Sequence, residues 1–187
     1  MLVAKQVADL ITLSRGVLAF VLTGLGFLAG SEALPLAAGL MILDWCGDIL
    51  DGPIARRSRV YYHSWIGDHD LQIDMTVAVG LLLYMLAAGY VSWWLGVIYL
   101  ITSALFFLRF GVTPAPGMLF QAPIYFWFIR ILLQYAPGLG ALIVVLILAV
   151  VLITWPKFPK VVVPSFLNGM RKVFNPPHGK NRNQPRD

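Results

Sequence analysis

Six of the nine acidic residues fall between Asp44 and Asp74, in a chain that is otherwise strongly apolar. Asp44, Asp48, Asp51 and Ala55 follow one another at spacings of 4, 3 and 4. Those offsets place them on one face of a helix. Asp68, Asp70 and Asp74 come next, and Asp70 and Asp74, four apart, share a helical face of their own. If the two stretches form antiparallel neighbours, Asp48, Asp51, Asp70 and Asp74 lie at one depth and meet. Meeting carboxylates repel, and one acid inside a bilayer costs about 2.5–3.5 kcal/mol on insertion scales. Three remedies exist: protons, paired arginines, or divalent cations. Two divalent cations neutralise four aspartates, and oxygen ligands suit the hard ions Mg²⁺, Mn²⁺ and Ca²⁺. Metals held by carboxylates with open positions usually meet phosphate, and a pair about 3.5–4 Å apart clamps a phosphoryl group in transfer.

The elements that carry these residues are membrane spans. Of 187 residues, 59% are hydrophobic and 12% charged, against about 25% charged in a soluble domain. The composition marks an all-α integral membrane protein. A spanning helix needs about 20 apolar residues, and six stretches qualify: 8–29, 34–56, 69–89, 93–110, 117–135 and 138–155. Gly30, Ser92, Pro116–Gly117 and Pro137–Gly138 punctuate them. The first stretch is long, is interrupted by Arg15 and is followed by further spans, so it reads as a span and not as a cleavable signal. The single cysteine, Cys46, allows no disulfide within the chain.

Charge sets the orientation. Lys5, Arg56, Arg57, Arg59 and the basic residues from Lys157 to Arg186 fall on one side, while the connections near 30–34, 90–92 and 135–138 carry no Lys or Arg. The positive-inside rule predicts six transmembrane helices with both termini and the 57–68 loop in the cytoplasm. Tyr61, Tyr62, Trp65 and Trp155 then mark the inner interface, and Tyr90, Trp93, Trp94 and Tyr135 the outer one. Residues 1–156 form the membrane domain, and 157–187 a basic tail with five prolines. Its middle, VPSFLNGMRKVF, is suited to lie on an anionic leaflet; the alternative is a tail whose charge only sets topology. No internal repeat, GxGxxG, P-loop, CxxC or nucleic-acid signature is present.

Around the acids, Gly52 and Ala55 remove bulk beside Asp51, so a ligand can approach the backbone; they also suit close helix packing. Pro53 removes one helical N–H and favours a kink. Arg56 stands at the cytoplasmic edge within reach of a phosphate, while Arg57 and Arg59 read as topology charges. Arg15 and Arg109 can face a polar cavity in the cytoplasmic half, with snorkelling the alternative for Arg109. Arg130 reads as a snorkelling or structurally paired residue. Asp44, one turn deeper than Asp48, is a candidate partner for Arg15. His63 and His69 lie near the loop, and a hard-ion site does not need them.

At these positions the sequence resembles the CDP-alcohol phosphotransferase family, whose pattern is D-x2-D-G-x2-A-R-x8-G-x3-D-x3-D. Asp48, Asp51, Gly52, Ala55 and Arg56 match the first half without a gap, and Asp70 and Asp74 match the last two aspartates. ADLITLSR, residues 8–15, is similar to the start of that family's first helix, with Asp9 where asparagine is usual. One residue is added between the halves: the glycine position falls on Trp65 counted from Arg56 or Ile66 counted from Asp70, and Gly67 stands one place late. The insertion maps to the loop and leaves the aspartate spacing intact, with Asp68 a competing ligand under a shifted register.

The resemblance implies a phosphatidyltransferase of phospholipid biosynthesis in the cell (inner) membrane, its active site facing the cytoplasm. Asp48, Asp51, Asp70 and Asp74 would hold two divalent cations, Mg²⁺ or Mn²⁺, with Asp74 also the catalytic base. Gly52, Ala55 and Arg56 would line the pocket for a CDP-linked lipid such as CDP-diacylglycerol. A small polar alcohol would attack the β-phosphorus and CMP would leave. Family members resembling this chain are homodimers. The rival readings are a membrane transporter or channel, and an inactive relative that binds the CDP-lipid as a scaffold.

Overall fold

The computed structural model describes residues 4–56 and 69–175, with side chains from 6 to 49 and from 69 to 175. The described chain is helical throughout its elements: α1 (Ala4–Ala29), α2 (Leu34–Arg56), α3 (Asp70–Ala87), α4 (Trp93–Phe110), α5 (Pro114–Tyr135), α6 (Pro137–Ile153) and α7 (Val163–Phe174). A 3₁₀ turn, Gly30–Ala33, joins α1 to α2, and a π-helical turn, Phe158–Val162, precedes α7. Four helical stretches are long and apolar enough to cross a membrane: Gln6–Ile49, Asp70–Ala87, Trp93–Phe110 and Pro114–Tyr135. The pair Pro137–Ile153 and Phe158–Phe174, bent by 80°, makes a fifth if taken as one span.

The 44-residue stretch Gln6–Ile49 is not one rod. Gly30 takes φ +55°, a left-handed conformation that ends α1 at little steric cost only because the residue lacks a side chain. Arg15 and Asp44, on either side of that turn, are bonded at 2.9 Å, so α1 and α2 form an antiparallel hairpin. α3 runs parallel to α1: Gly16 faces Ile73, Gly80 faces Ala19 and Gly26 faces Tyr84. The acid-bearing ends of α2 and α3 are therefore at the same end of the bundle.

The other end gathers the short turns. The Tyr84 hydroxyl donates to the Gly30 carbonyl at 3.4 Å, and the Tyr90 hydroxyl to the Ser31 carbonyl at 3.2 Å. The Tyr90 and Tyr135 rings meet at 5.2 Å. The three connections that lack Lys and Arg thus lie together, away from the aspartates.

The core sits among α1, α2, α3, α5 and α6, around Leu22, Met41, Leu81, Tyr84, Phe128, Leu132 and Ile143. Small residues let backbones approach, as expected where lipid is as apolar as the side chains. A Cβ on Gly80 would stand 2.4 Å from the Ala19 carbonyl oxygen and 2.8 Å from its Cα. α4 is peripheral: Gly96 alone is buried along it, and Leu105 and Leu108 are exposed, a helix apolar on every side with no polar face to present to water. It is held to α5 by the Tyr99 hydroxyl, which donates to the Phe120 carbonyl at 2.5 Å.

The fifth helix begins at Pro114, not at residue 117 as the turn signals predict. Prolines in a first turn remove N–H groups that lack partners there anyway, so Pro114 and Pro116 start the helix instead of delaying it. Pro53 likewise does not end α2, which continues to Arg56. The segment after α6 is helical as far as Phe174.

Gly80→Ala is expected to lower the thermal unfolding midpoint in detergent by about 5 °C, an overpacking penalty at a backbone contact. Gly24→Ala, where nothing lies within 4 Å, serves as the control and is expected to leave the midpoint in place. Equal behaviour of the two variants would contradict the close approach of α1 and α3.

Candidate functional site

Arg15 projects from α1 into the gap between the acid-bearing ends of α2 and α3. Its guanidinium is only 5% exposed. Nε donates to Asp44 Oδ1 at 2.9 Å, Nη1 to Asp48 Oδ1 at 3.1 Å and Nη2 to Asp74 Oδ1 at 2.6 Å. Asp70 Oδ1 lies 3.8 Å from Nη1. One cation therefore faces four carboxylates from two other helices. The fork shape explains the residue type, because a planar guanidinium aims five donors in fixed directions, whereas an ammonium offers three from one rotating nitrogen.

The helix geometry dictates the meeting. Asp44 and Asp48 are successive turns of α2 on the face turned to α1, where Gly47 packs against Ile11 and the Arg15 stem. Asp70 and Asp74 occupy the first two turns of α3 on the same side. The carboxylates grade from inside to outside. Asp44 is fully buried, Asp74 is 22% exposed, and Asp48 and Asp70 are about half exposed. The cluster is a funnel, with the Arg15–Asp44 pair at its floor and Asp48 and Asp70 at its rim.

Asp48, Asp70 and Asp74 each present a carboxylate oxygen within 4.8 Å of the other two. The donor set is all oxygen, which suits a hard divalent cation. At the floor, Asp44 Oδ2 is buried and has no hydrogen-bond partner among the described residues. The residues present thus fit a cation: anionic oxygen at short mutual distance, and more negative charge than Arg15 offsets.

Of the positions predicted from sequence, Asp48, Asp70 and Asp74 are brought together, and Asp44 is the partner of Arg15. Asp51, Gly52, Ala55 and Arg56 lie in the last turns of α2, and their side chains lie outside the described residues, as do Arg57, Arg59, His63, Trp65, Ile66, Gly67 and Asp68. His69 immediately precedes α3. Arg130 lies over the Trp127 ring at 5.3 Å and Arg109 over the Phe110 ring at 5.2 Å, both away from the aspartates. Two residues carried no signal in the sequence. Trp45 and Tyr125 form an edge-to-face pair at 5.7 Å, and Tyr125, from α5, stands within electrostatic range of Asp44 and Asp74. An aromatic in a hydrophobic span looks like any other until its rotation is known.

No family model, no curated protein and no solved structure matches this chain.

Removing Arg15 leaves buried acid without its counter-charge, a change that costs about 3–5 kcal/mol. Arg15→Gln is expected to lower the unfolding midpoint in detergent by about 10 °C. Arg15→Lys restores little, since it cannot serve several carboxylates in fixed directions. Asp44→Asn removes the buried charge itself and should cost less than Arg15→Gln. An Arg15→Gln protein that melts with the parent would show that the ion pairs hold nothing together.

Proposed function

We propose that this chain is a membrane-embedded transferase that moves a substituted phosphate group from a CDP-linked lipid, such as CDP-diacylglycerol, to the hydroxyl of a small polar alcohol, releasing CMP. The observation that carries the reading is the convergence of Asp48, Asp70 and Asp74, at the helix ends where the D-x2-D-G-x2-A-R pattern and its two later aspartates fall.

The charge balance supports it. Asp44, Asp48, Asp51, Asp70 and Asp74 against Arg15 leave four negative charges. Mg²⁺ or Mn²⁺, two ions held by Asp48, Asp51, Asp70 and Asp74, would cancel that charge and stabilise the pyrophosphate oxygens through displacement. Gly52, Ala55 and Arg56, one turn further along α2, are assigned to the nucleotide. Asp74 accepts the proton of the acceptor hydroxyl as its oxygen bonds to the β-phosphorus; the bond from that phosphorus to the CMP oxygen breaks, and CMP leaves. Arg15 acts as a positioning residue: by donating to both Asp48 and Asp74 it fixes the base relative to a cation ligand.

In this reading the chain crosses the inner membrane six times, with both termini and the aspartates on the cytoplasmic side. Three features support that topology. Gln6–Ile49 contains two antiparallel helices, and α6 is 17 wholly apolar or small residues long. The turns without Lys or Arg cluster at the end away from the aspartates. Such a chain would work as a homodimer, like the family members it resembles.

A second reading, an ion pathway through the membrane, draws on the Arg15 network, since ion-paired acids also line transport routes. One assay separates the two. Purified protein with Mn²⁺ and radiolabelled CDP-diacylglycerol is offered glycerol 3-phosphate, inositol phosphate, serine or inositol. CMP release with one acceptor, abolished by EDTA, is expected. Asp74→Asn is expected to remain folded and to lose activity by about 10²–10⁴-fold. Ion flux without CMP release favours the pathway, and parental turnover by Asp74→Asn would falsify the base assignment.

A further inference from the structure

A cavity of about 920 Å³ lies away from the Arg15 cluster, between the α4–α5 corner and α7. α7 is bent sharply away from α6. Phe166, Gly169, Met170 and Val173 are its half-buried positions, at spacings of 3, 1 and 3 that make one helical stripe. That stripe docks on the bundle. A Cβ on Gly169 would stand 2.6 Å from the Ala115 Cβ, and the Phe174 ring meets Phe110 at 5.6 Å and Phe106 at 6.5 Å. Arg171 points away from the stripe and Lys172 flanks it on the cavity side; both are exposed.

The cavity under this helix has a two-part chemistry. Among the described residues that line it, Arg109 and Lys172 are the charged ones and no acid is present. None of the ion pairs between described residues involves either cation. The rest of the wall is mainly apolar, including Met118, Val161 and Phe166, and Met118 and Val161 are at least half exposed. A soluble phosphorylated compound would leave that apolar wall unmatched. A neutral lipid would leave the two cations unmatched. We propose that this cavity binds an anionic phospholipid of the surrounding leaflet, its phosphate between Arg109 and Lys172 and its acyl chains against the apolar wall. The lipid is a bound component that fastens α7 to the α4–α5 corner, and the site is independent of the transferase reading above.

The test uses the full chain in a neutral detergent with EDTA, so that no divalent cation can bridge a lipid phosphate to the aspartates. Thermal unfolding is followed while dioctanoyl phosphatidylglycerol, dioctanoyl phosphatidylcholine or inorganic phosphate is added. At saturation the anionic lipid is expected to raise the midpoint by about 5 °C, with at most a small change from the other two. Lys172→Gln, at an exposed position that folding tolerates, is expected to lose at least half of that shift, and Lys172→Gln with Arg109→Gln nearly all of it. No shift with the anionic lipid overturns the proposal. So does an equal shift with phosphatidylcholine, which means apolar filling alone, an equal shift with inorganic phosphate, which means a soluble-phosphate site, or a full shift retained by Lys172→Gln.

Discussion

A guanidinium buried among carboxylates organises this molecule. Arg15 is reached from α2 by Asp44 and Asp48 and from α3 by Asp70 and Asp74, so three helices share one electrostatic centre. At its floor the Arg15–Asp44 pair is shut away from solvent, and each helix is constrained by the others' charges. The rotation of α1 about its axis, the depth of α2 and the start of α3 all follow from satisfying one side chain. The small residues are the counterpart of that constraint. Gly80 against Ala19 and Gly26 against Tyr84 bring α1 and α3 to backbone contact, which is what allows Asp74 to come within 2.6 Å of Arg15.

The rest of the bundle is arranged around this rigid triple. α5 begins beside the acid end of α3, where Gly117 packs against the end of the Leu71 side chain. α6 folds back on α5 at Gly140. α4 contributes little packing and is tied by Tyr99. Packing is therefore uneven: closest where α1 and α3 touch, and sparse at α4, where Gly96 alone is buried.

Much of this was legible from residue spacing. Acids at offsets of 4 and 3 followed by a further pair at 4 have one consequence in antiparallel helices, and Asp48, Asp70 and Asp74 do converge. Asp44 as the partner of Arg15 was legible too, from its place one turn deeper. What was not legible was that Arg15 serves the outer aspartates as well. The spacing favoured divalent cations over protons and arginines, and α1 is apolar on too many sides for hydropathy to fix which way Arg15 points. Tyr125 was invisible for the same reason. The start of α5 was misplaced because proline was read as punctuation, although in a first turn it is a helix former.

The position of Asp44 also bears on how the chain is built. An arginine in a lone span enters a bilayer at a cost of about 2.5–3.5 kcal/mol. Its most buried partner does not come from a distant helix but from the next one, across a turn of four residues. The first hairpin can therefore leave the ribosome and partition into lipid as an internally compensated unit, Arg15 against Asp44. Only afterwards does α3 arrive with Asp70 and Asp74 to surround a charge already in place. Order of synthesis and order of neutralisation coincide, and the unpaired intermediate is confined to the interval between two consecutive helices.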